Sequence, residues 1–589
     1  MVRMKFKSRE QARKQYWNLG SFWSFILGAL MLGGGSVNWA QEADFGLGEW
    51  RVTPRIGVGA TYSDNIKLMP DGQTEDDLVL QVDPGISVRK RGGRLDLRLD
   101  YTAQGLLYTN NGDANKINNQ LQAFGTAEIF QKNFFLDAYG SISQVPINSS
   151  SRTDTGNLGA TGGIPSGLSL FDNFDLGLPG AAELFNPIGI FSNIALTDNQ
   201  TTAYRFGVSP YWQQDVGGWV KVLLRYRYDD IFYDEQNGID NQQEGQQIND
   251  NSDNSDSQIN TINFNLASGR QFSTLKWNIG YFYQQQKQDN LTNNNTGDNG
   301  DDRQENLTGE LTYRLSNHWS LLAEAGYEDN QVADFENSRN GGYWGLGAIW
   351  SPSRFMELKG LYGSDVNEIA LRWNPSLRTH LQISRRDQSV GVDPGVHWEG
   401  SFGHRTANIT WSARYTDEVT NEQQLLGRSV LGSSGDGQSQ SPDEQNQPVV
   451  SEGPFGLTNQ NFRRKRFDGS VTYRHGPTGL SVSAFNENRE NQDAVSQENT
   501  YGAGALWTWR FAPRTASFIG TGWEHDDLGE NQSDENQQND YWVSVIGLAR
   551  VFTPDFGGLV SYRLYQNNSN STEQEFRENR LNIRFNMKF

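Results

Sequence analysis

Ten basic residues, Arg98, Lys221, Arg225, Arg227, Arg314, Arg414, Arg474, Arg563, Arg584 and Lys588, recur in segments where apolar and polar residues alternate, each on the polar alternate. Successive side chains of an extended strand point to opposite faces, so these cations stand opposite the face that carries Leu, Val and Tyr. Fewer acids, such as Asp96, Asp100, Glu310 and Asp468, share their face. Were such strands to enclose a lumen, its Arg and Lys residues would favour anions through the local field. The chemistry expected is attraction and passage of anionic solutes or an acidic polysaccharide. The competing reading is that these residues only solvate an interior and pair across strands.

Bond-making chemistry has little to work with. Of six histidines, His318, His404 and His475 fall at expected tight turns, while His380 and His397 are scattered. His525, beside Asp526 and Asp527, is the one candidate general base, and no G-x-S-x-G elbow accompanies it. No catalytic residue is assigned and no enzyme is expected. Asp298-Asn299-Gly300-Asp301-Asp302 offers oxygen ligands for Ca²⁺ within a short turn, but the spacing is not that of an EF-hand loop. No metal site and no cofactor are assigned. The excess acid collects in polar tracts, for example Asp229, Asp230, Asp234 and Glu235, then Asp526, Asp527, Glu530 and Asp534.

The elements that must position these residues are strands. The chain has 589 residues, a net charge of -20, no cysteine, 63 glycines and 12% aromatic residues, with no sustained helical periodicity beyond its first forty positions. It is all-β in pattern. Leu95, Leu97, Leu99 and Tyr101 oppose Arg94, Asp96, Arg98 and Asp100; Leu307, Leu311 and Tyr313 oppose Thr308, Glu310 and Thr312; Phe467, Val471 and Tyr473 oppose Asp468, Thr472 and Arg474. An Arg on a lipid-facing position at mid-bilayer costs about 2–4 kcal/mol, which enforces such segregation. The chain ends on Leu581, Ile583, Phe585, Met587 and Phe589, alternating with Asn582, Arg584, Asn586 and Lys588. These five apolar residues are assigned as a barrel-assembly signal. Residues 541–552 fit either phase.

Short turns with Gly, Pro or Asn, such as Gly92-Gly93, Gly217-Gly218, Gly476-Pro477 and Thr553-Pro554-Asp555, alternate with long tracts of Asn, Gln, Asp and Ser. Short on one side and long on the other is the topology of an outer-membrane barrel, with periplasmic turns and extracellular loops. The pattern predicts a large transmembrane antiparallel β-barrel of roughly 24 strands, within a range of about 20–26. Trp212, Trp219, Trp319, Trp350, Trp373, Trp507 and Trp509 lie near short turns, where an interfacial girdle would place them.

Before the strands, Arg3, Lys5, Lys7 and Arg9 precede an apolar stretch from Leu19 to Leu32, the form of a secretory signal. Residues 1–40 are assigned to it, with cleavage after Ser36 or Ala40; 41–49 form a short periplasmic segment and 50–589 the barrel. Two connections stand out. Residues 419–460 form a long extracellular loop. Residues 146–200 carry Leu168, Leu170, Phe171, Phe174, Leu176, Leu178, Leu184, Phe185, Ile188, Ile190 and Phe191, enough apolar surface to fold inward as a constriction or to cap the mouth.

Glu49-Trp50-Arg51-Val52-Thr53-Pro54, Thr61-Tyr62-Ser63-Asp64-Asn65-Ile66 and Pro84-Gly85-Ile86-Ser87 resemble the opening of the PEP-CTERM system-associated outer-membrane β-barrel proteins, as do Phe134-Phe135-Leu136-Asp137-Ala138 and Asn408-Ile409-Thr410-Trp411 further on. The resemblance implies an envelope protein of Gram-negative bacteria linked to exopolysaccharide synthesis and export. It supplies no catalytic residues, and the long Asn/Gln-rich loops depart from the plainer pattern.

The function expected is a non-enzymatic channel or export component, with exopolysaccharide or its export complex as cargo or partner. Outer-membrane lipid, lipopolysaccharide and the barrel-assembly machinery are the other expected partners, and no nucleic acid. The alternative is a structural or adhesive barrel that displays its long acidic loops without transport.

Overall fold

The computed structural model describes residues 50–147, 176–178, 184–185, 194–197, 199–234, 256–288, 302–332, 338–421, 424–425, 461–490, 497–530 and 536–589. The expected signal segment 1–40, segment 41–49 and most of 419–460 lie outside these residues. Twenty-four strands form one antiparallel sheet. They are β1 (Trp50–Ser63), β2 (Asp77–Arg91), β3 (Leu95–Tyr108), β4 (Lys116–Phe130), β5 (Phe134–Pro146), β6 (Gln200–Val216), β7 (Val220–Tyr233) and β8 (Ser257–Ser268). Next come β9 (Leu275–Gln288), β10 (Asp302–Arg314), β11 (Trp319–Gln331), β12 (Gly341–Ser353), β13 (Met356–Ser364), β14 (Val366–Ser376), β15 (Thr379–Gln388) and β16 (Gly395–Arg405). The last eight are β17 (Ile409–Thr420), β18 (Phe462–His475), β19 (Thr478–Glu490), β20 (Gln497–Ala512), β21 (Thr515–Glu530), β22 (Asn536–Thr553), β23 (Phe556–Ser569) and β24 (Phe576–Lys588).

Each strand pairs with the next, and β1 pairs with β24 from Arg55 opposite Lys588 to Ser63 opposite Arg580, so the sheet closes on itself. Closure removes every edge, which is the condition for a sheet to sit in hydrocarbon. The terminal strand shows how the faces divide. Leu581, Ile583 and Phe585 are 41–45% exposed, whereas Arg580, Asn582 and Arg584 are 5–7% exposed. Ile546, Leu548, Val560 and Tyr562 continue that apolar exterior on β22 and β23. An apolar surface running around a closed barrel costs about 25 cal/mol per Å² in water and is satisfied in lipid.

The expected short turns form the hairpins at the end that also carries both ends of the barrel. Trp319 stacks on Trp350 across β11 and β12, and Trp507 on Trp509, all exposed on the outside near that end. Trp344, Trp398 and Trp542 are exposed nearer the opposite end. These are the two interfacial girdles. Outward charges gather beyond the second girdle, as in Arg303 with Asp329 at 2.9 Å and Lys465 with Glu490 at 2.6 Å. The ambiguous segment 541–552 adopts one phase, with Val543, Val545, Ala549 and Val551 inward and Trp542, Ile546, Leu548 and Phe552 outward. Both faces are apolar there because the inner one is covered by protein.

Candidate functional site: the lumen and its inserted segment

The covering belongs to the long connection between β5 and β6. Leu176, Leu178, Leu184 and Phe185 are buried in one cluster with inward residues of β19 to β24, including Phe485, Leu506, Phe518, Val543, Val545, Val551 and Leu559. Both flanking strands meet this connection at the extracellular end, yet Phe185 lies against Gly557, just past the periplasmic turn between β22 and β23. A Cβ on Gly557 would stand 2.6 Å from Phe185 Cζ, so any larger residue there would push the ring away. Leu184 lines a small cavity with Arg55, Asp83, Arg584 and Lys588 at the same level. Among the described residues of this connection, Leu176, Leu178, Leu184 and Phe185 thus stand inside the lumen toward the periplasmic end.

Polar contacts hold it at both depths. Arg510, near the periplasmic end of β20, donates to the Gly177 carbonyl at 2.7 Å. Toward the outer mouth the Leu196 N–H donates to the Ile66 carbonyl at 2.8 Å, and the Tyr108 hydroxyl to the Ile194 carbonyl at 2.9 Å. Ile194 packs with Ile66, Val79, Leu106 and Tyr108. Burying a Leu or Phe side chain contributes about 1.5–3 kcal/mol, which offsets the entropy lost in ordering the segment.

The inner wall elsewhere is charged and paired. Arg386 donates to Glu324 at 2.7 Å and Glu368 at 2.9 Å, and Lys359 joins both carboxylates at 3.5 and 3.1 Å. Glu487, fully buried, accepts from Arg464 at 2.9 Å, Arg466 at 2.6 Å and Arg489 at 2.7 Å. Glu578 accepts from Arg563 at 3.0 Å, Arg580 at 2.7 Å and Ser63 at 2.6 Å. Coulomb attraction and hydrogen bonds from these guanidinium groups replace the hydration each buried carboxylate has lost.

All ten sequence-predicted cations stand on the inward row, and most of them meet an acid there. Arg225 lies 3.4 Å from Asp137, Arg227 2.7 Å from Asp229, Arg563 3.0 Å from Glu578, and Arg584 pairs closely with Asp83. Lys588 is 4.0 Å from Asp555, and Arg414 faces Asp468 across β17 and β18. Arg98, Lys221 and Arg314, next to periplasmic turns, make no ion pair among the described residues. Arg474 sits at the same level beside the turn to β19. The surplus of cations is thus a property of the periplasmic part of the lumen. Sequence reasoning missed Glu324, Glu368, Glu487 and Glu578; Arg464-x-Arg466, Glu487-x-Arg489 and Glu578-x-Arg580, charges two apart on one strand face, were the available signal.

His525 bonds Asp540 on β22 at 3.0 Å, on the outer face beside Tyr501 and Trp523. Asp526, next to it in sequence, points into the barrel, so the expected His525–Asp526 grouping is separated by the sheet itself. Of the stretch 298–302 only Asp302 is described; it accepts from Asn461 at 2.6 Å.

The wall also has a seam. β16 and β17 pair only from Gly400–Tyr415 to Arg405–Thr410, whereas β17 and β18 stay paired up to Thr420–Phe462. Side chains bridge the opening: Arg463 donates to Asp417 at 2.8 and 2.9 Å and to the Val396 carbonyl at 2.7 Å, and His397 stands 3.6 Å from Asp417. Burial pushes the carboxyl of Asp393, in the preceding loop, above the usual aspartate range. A cavity of about 390 Å³ opens here, lined by Glu328, Glu368, Arg386, Asp393, His397 and Asp417 among others.

No protein-family model matches the chain, and no curated protein matches it. Solved structures do. The siderophore receptor PirA from Pseudomonas aeruginosa is 9% identical over 92% of this chain and 80% of that one, with a TM-score of 0.40. PirA from Acinetobacter baumannii is 12% identical over 91% and 80%, TM-score 0.43. The FrpB iron transporter from Neisseria meningitidis, F5-1 variant, is 12% identical over 91% and 81%, TM-score 0.43. What defines this chain is its own geometry: a closed ring of twenty-four antiparallel strands, apolar outside and girdled by aromatics, is a multi-pass barrel of the bacterial outer membrane.

Proposed function

We propose that the protein is an outer-membrane conduit held shut by its own β5–β6 connection, and that it passes anionic solutes or an acidic glycan when that segment moves aside. The observation that carries this reading is the burial of Leu176, Leu178, Leu184 and Phe185 inside the lumen, against the wall of β19 to β24. Arg98, Lys221 and Arg314 at the periplasmic side, without an ion pair among the described residues, supply the field that favours anions there. Exopolysaccharide as cargo is supported by the resemblance of the segments around Trp50, Pro84 and Phe134 to barrels of exopolysaccharide-producing systems. No bond-making role is proposed.

Planar-bilayer recording tests the proposal. Deleting residues 150–198 should raise single-channel conductance, and reversal potentials in a salt gradient should show anion preference. An unchanged conductance or a cation preference would overturn it. The filled lumen also favours a second reading, a barrel that only displays its loops. If both the full chain and the deletion variant stay electrically silent, the display reading replaces the conduit.

A further inference from the structure

The seam between β16 and β17 breaks a rule that the rest of the wall obeys. Neighbours along a strand point to opposite faces, and the ladder between strands keeps those faces apart. Trp398 is exposed on the outside of β16, which sets His397 and Glu399 on its inner face. Trp411 is exposed on the outside of β17, which sets Asp417 and Val419 on the outer row, where Asp417 is level with Lys465 of β18. His397 nonetheless stands 3.6 Å from Asp417. An inner side chain meets an outer one because the β16–β17 ladder ends at Gly400–Tyr415, with none between residues 395–399 and 416–420.

The cavity of about 390 Å³ at this point is therefore lined from both sides of the wall. Glu328, Glu368, Arg386 and Gln388 come from the inner row of β11, β14 and β15, and Asp417 and Val419 from the outer row of β17. Its volume falls in the range of about 300–1,000 Å³ usual for ligand sites. The opening lies beside Trp398, in the outer aromatic girdle, where lipid headgroups begin. One side chain closes it. Arg463, on the outer row of β18, donates to Asp417 at 2.8 and 2.9 Å and to the Val396 carbonyl at 2.7 Å, and stands 3.2 Å from Asp393. It ties β16 to β17 where the backbone does not.

The lining decides what can enter. Carboxylates, the Arg386 guanidinium, the His397 imidazole and the Gln388 amide set acceptors and donors side by side, which suits a group rich in hydroxyls, each able to give and to take a hydrogen bond. A lone anion would meet mostly carboxylates, and an apolar tail would strip these groups of water without replacing its bonds. We propose that the seam is a lateral portal, latched by Arg463, through which the sugar head of an outer-leaflet glycolipid enters the cavity while its apolar tail stays in the membrane. This route is separate from the axial one and does not require the β5–β6 connection to move.

The test uses the full-length protein folded in lauryldimethylamine oxide, a detergent without sugar. The probe is dodecyl maltoside carrying a photoreactive diazirine on its sugar, with the crosslinked residues read by mass spectrometry. Saturable labelling of the cavity lining, within 384–399 and 417–419, is expected, competed by unlabelled dodecyl maltoside but not by maltose. Arg463→Gln should raise that labelling several-fold. Ser384→Trp, which fills the cavity from the inner row of β15, should abolish it. Should Arg463→Gln fail to fold, Asp417→Asn loosens the same latch from the neighbouring strand, with labelling expected to rise likewise. The proposal is overturned if labelling is confined to outer-row residues, survives Ser384→Trp, is competed equally by maltose, or is unchanged in the latch variant.

Discussion

The inner wall of this barrel comes in two kinds. From β19 to β24 its lower reach is built of Leu506, Phe518, Val543, Val545, Val551 and Leu559, and a segment of the chain lies on it. From β10 to β18 it is built of Glu324, Lys359, Glu368, Arg386, Arg464 and Arg466, bound to one another or to Glu487 on β19. The difference teaches that a lumen is polar only where water reaches it. Where protein fills it, the inner face obeys the rules of a globular core, and the inside–outside alternation disappears from the sequence.

Four substitutions probe that contrast, in decreasing order of effect. Glu487→Ala strips the charged wall of a buried anion and leaves three guanidinium groups facing one another. A loss of about 3–5 kcal/mol is expected, read as a fall in the urea midpoint of folding in detergent micelles. Ile546→Lys sets a cation on the lipid side of β22 and should cost about 2–4 kcal/mol in a bilayer. A comparable loss from the same change at Ser320, inward on β11, would break the assignment of faces. Phe185→Ala removes an anchor of the inserted segment, worth about 1.5–3 kcal/mol of docking energy. The readout is a higher open probability of the protein reconstituted in planar bilayers. Asp329→Asn breaks an exposed rim pair with Arg303 and should shift stability by no more than about 1 kcal/mol.

The exterior could be foreseen because lipid leaves no exceptions: Leu307, Leu311, Tyr313 and the terminal row from Leu581 were placed by alternation alone. The ten inward cations were placed by the same rule. Their partners were not. Asp83 meets Arg584 across strands about five hundred positions apart in sequence, and no local pattern announces a pairing that only closure creates. Residues 541–552 resisted a phase assignment because their environment is set by Leu176 to Phe185, a segment far upstream. The inward fold of that segment was suggested by its apolar content, but its depth depends on Gly557, a glycine indistinguishable by sequence from those in the neighbouring turns. His525 was grouped with Asp526 by adjacency, whereas in a strand adjacency means opposite faces.

The pairing of β1 with β24 has a bearing on how the protein comes into being. The Phe589 N–H donates to the Pro54 carbonyl at 2.9 Å, so the last residue meets nearly the first of the ring. The cylinder cannot be zipped until the whole polypeptide has arrived, and until then two rows of unsatisfied peptide groups face the surroundings, each costing several kcal/mol in hydrocarbon. Such a ring has no partial form that is at ease in the bilayer. Pairing β1 with β24 satisfies both free margins in one step.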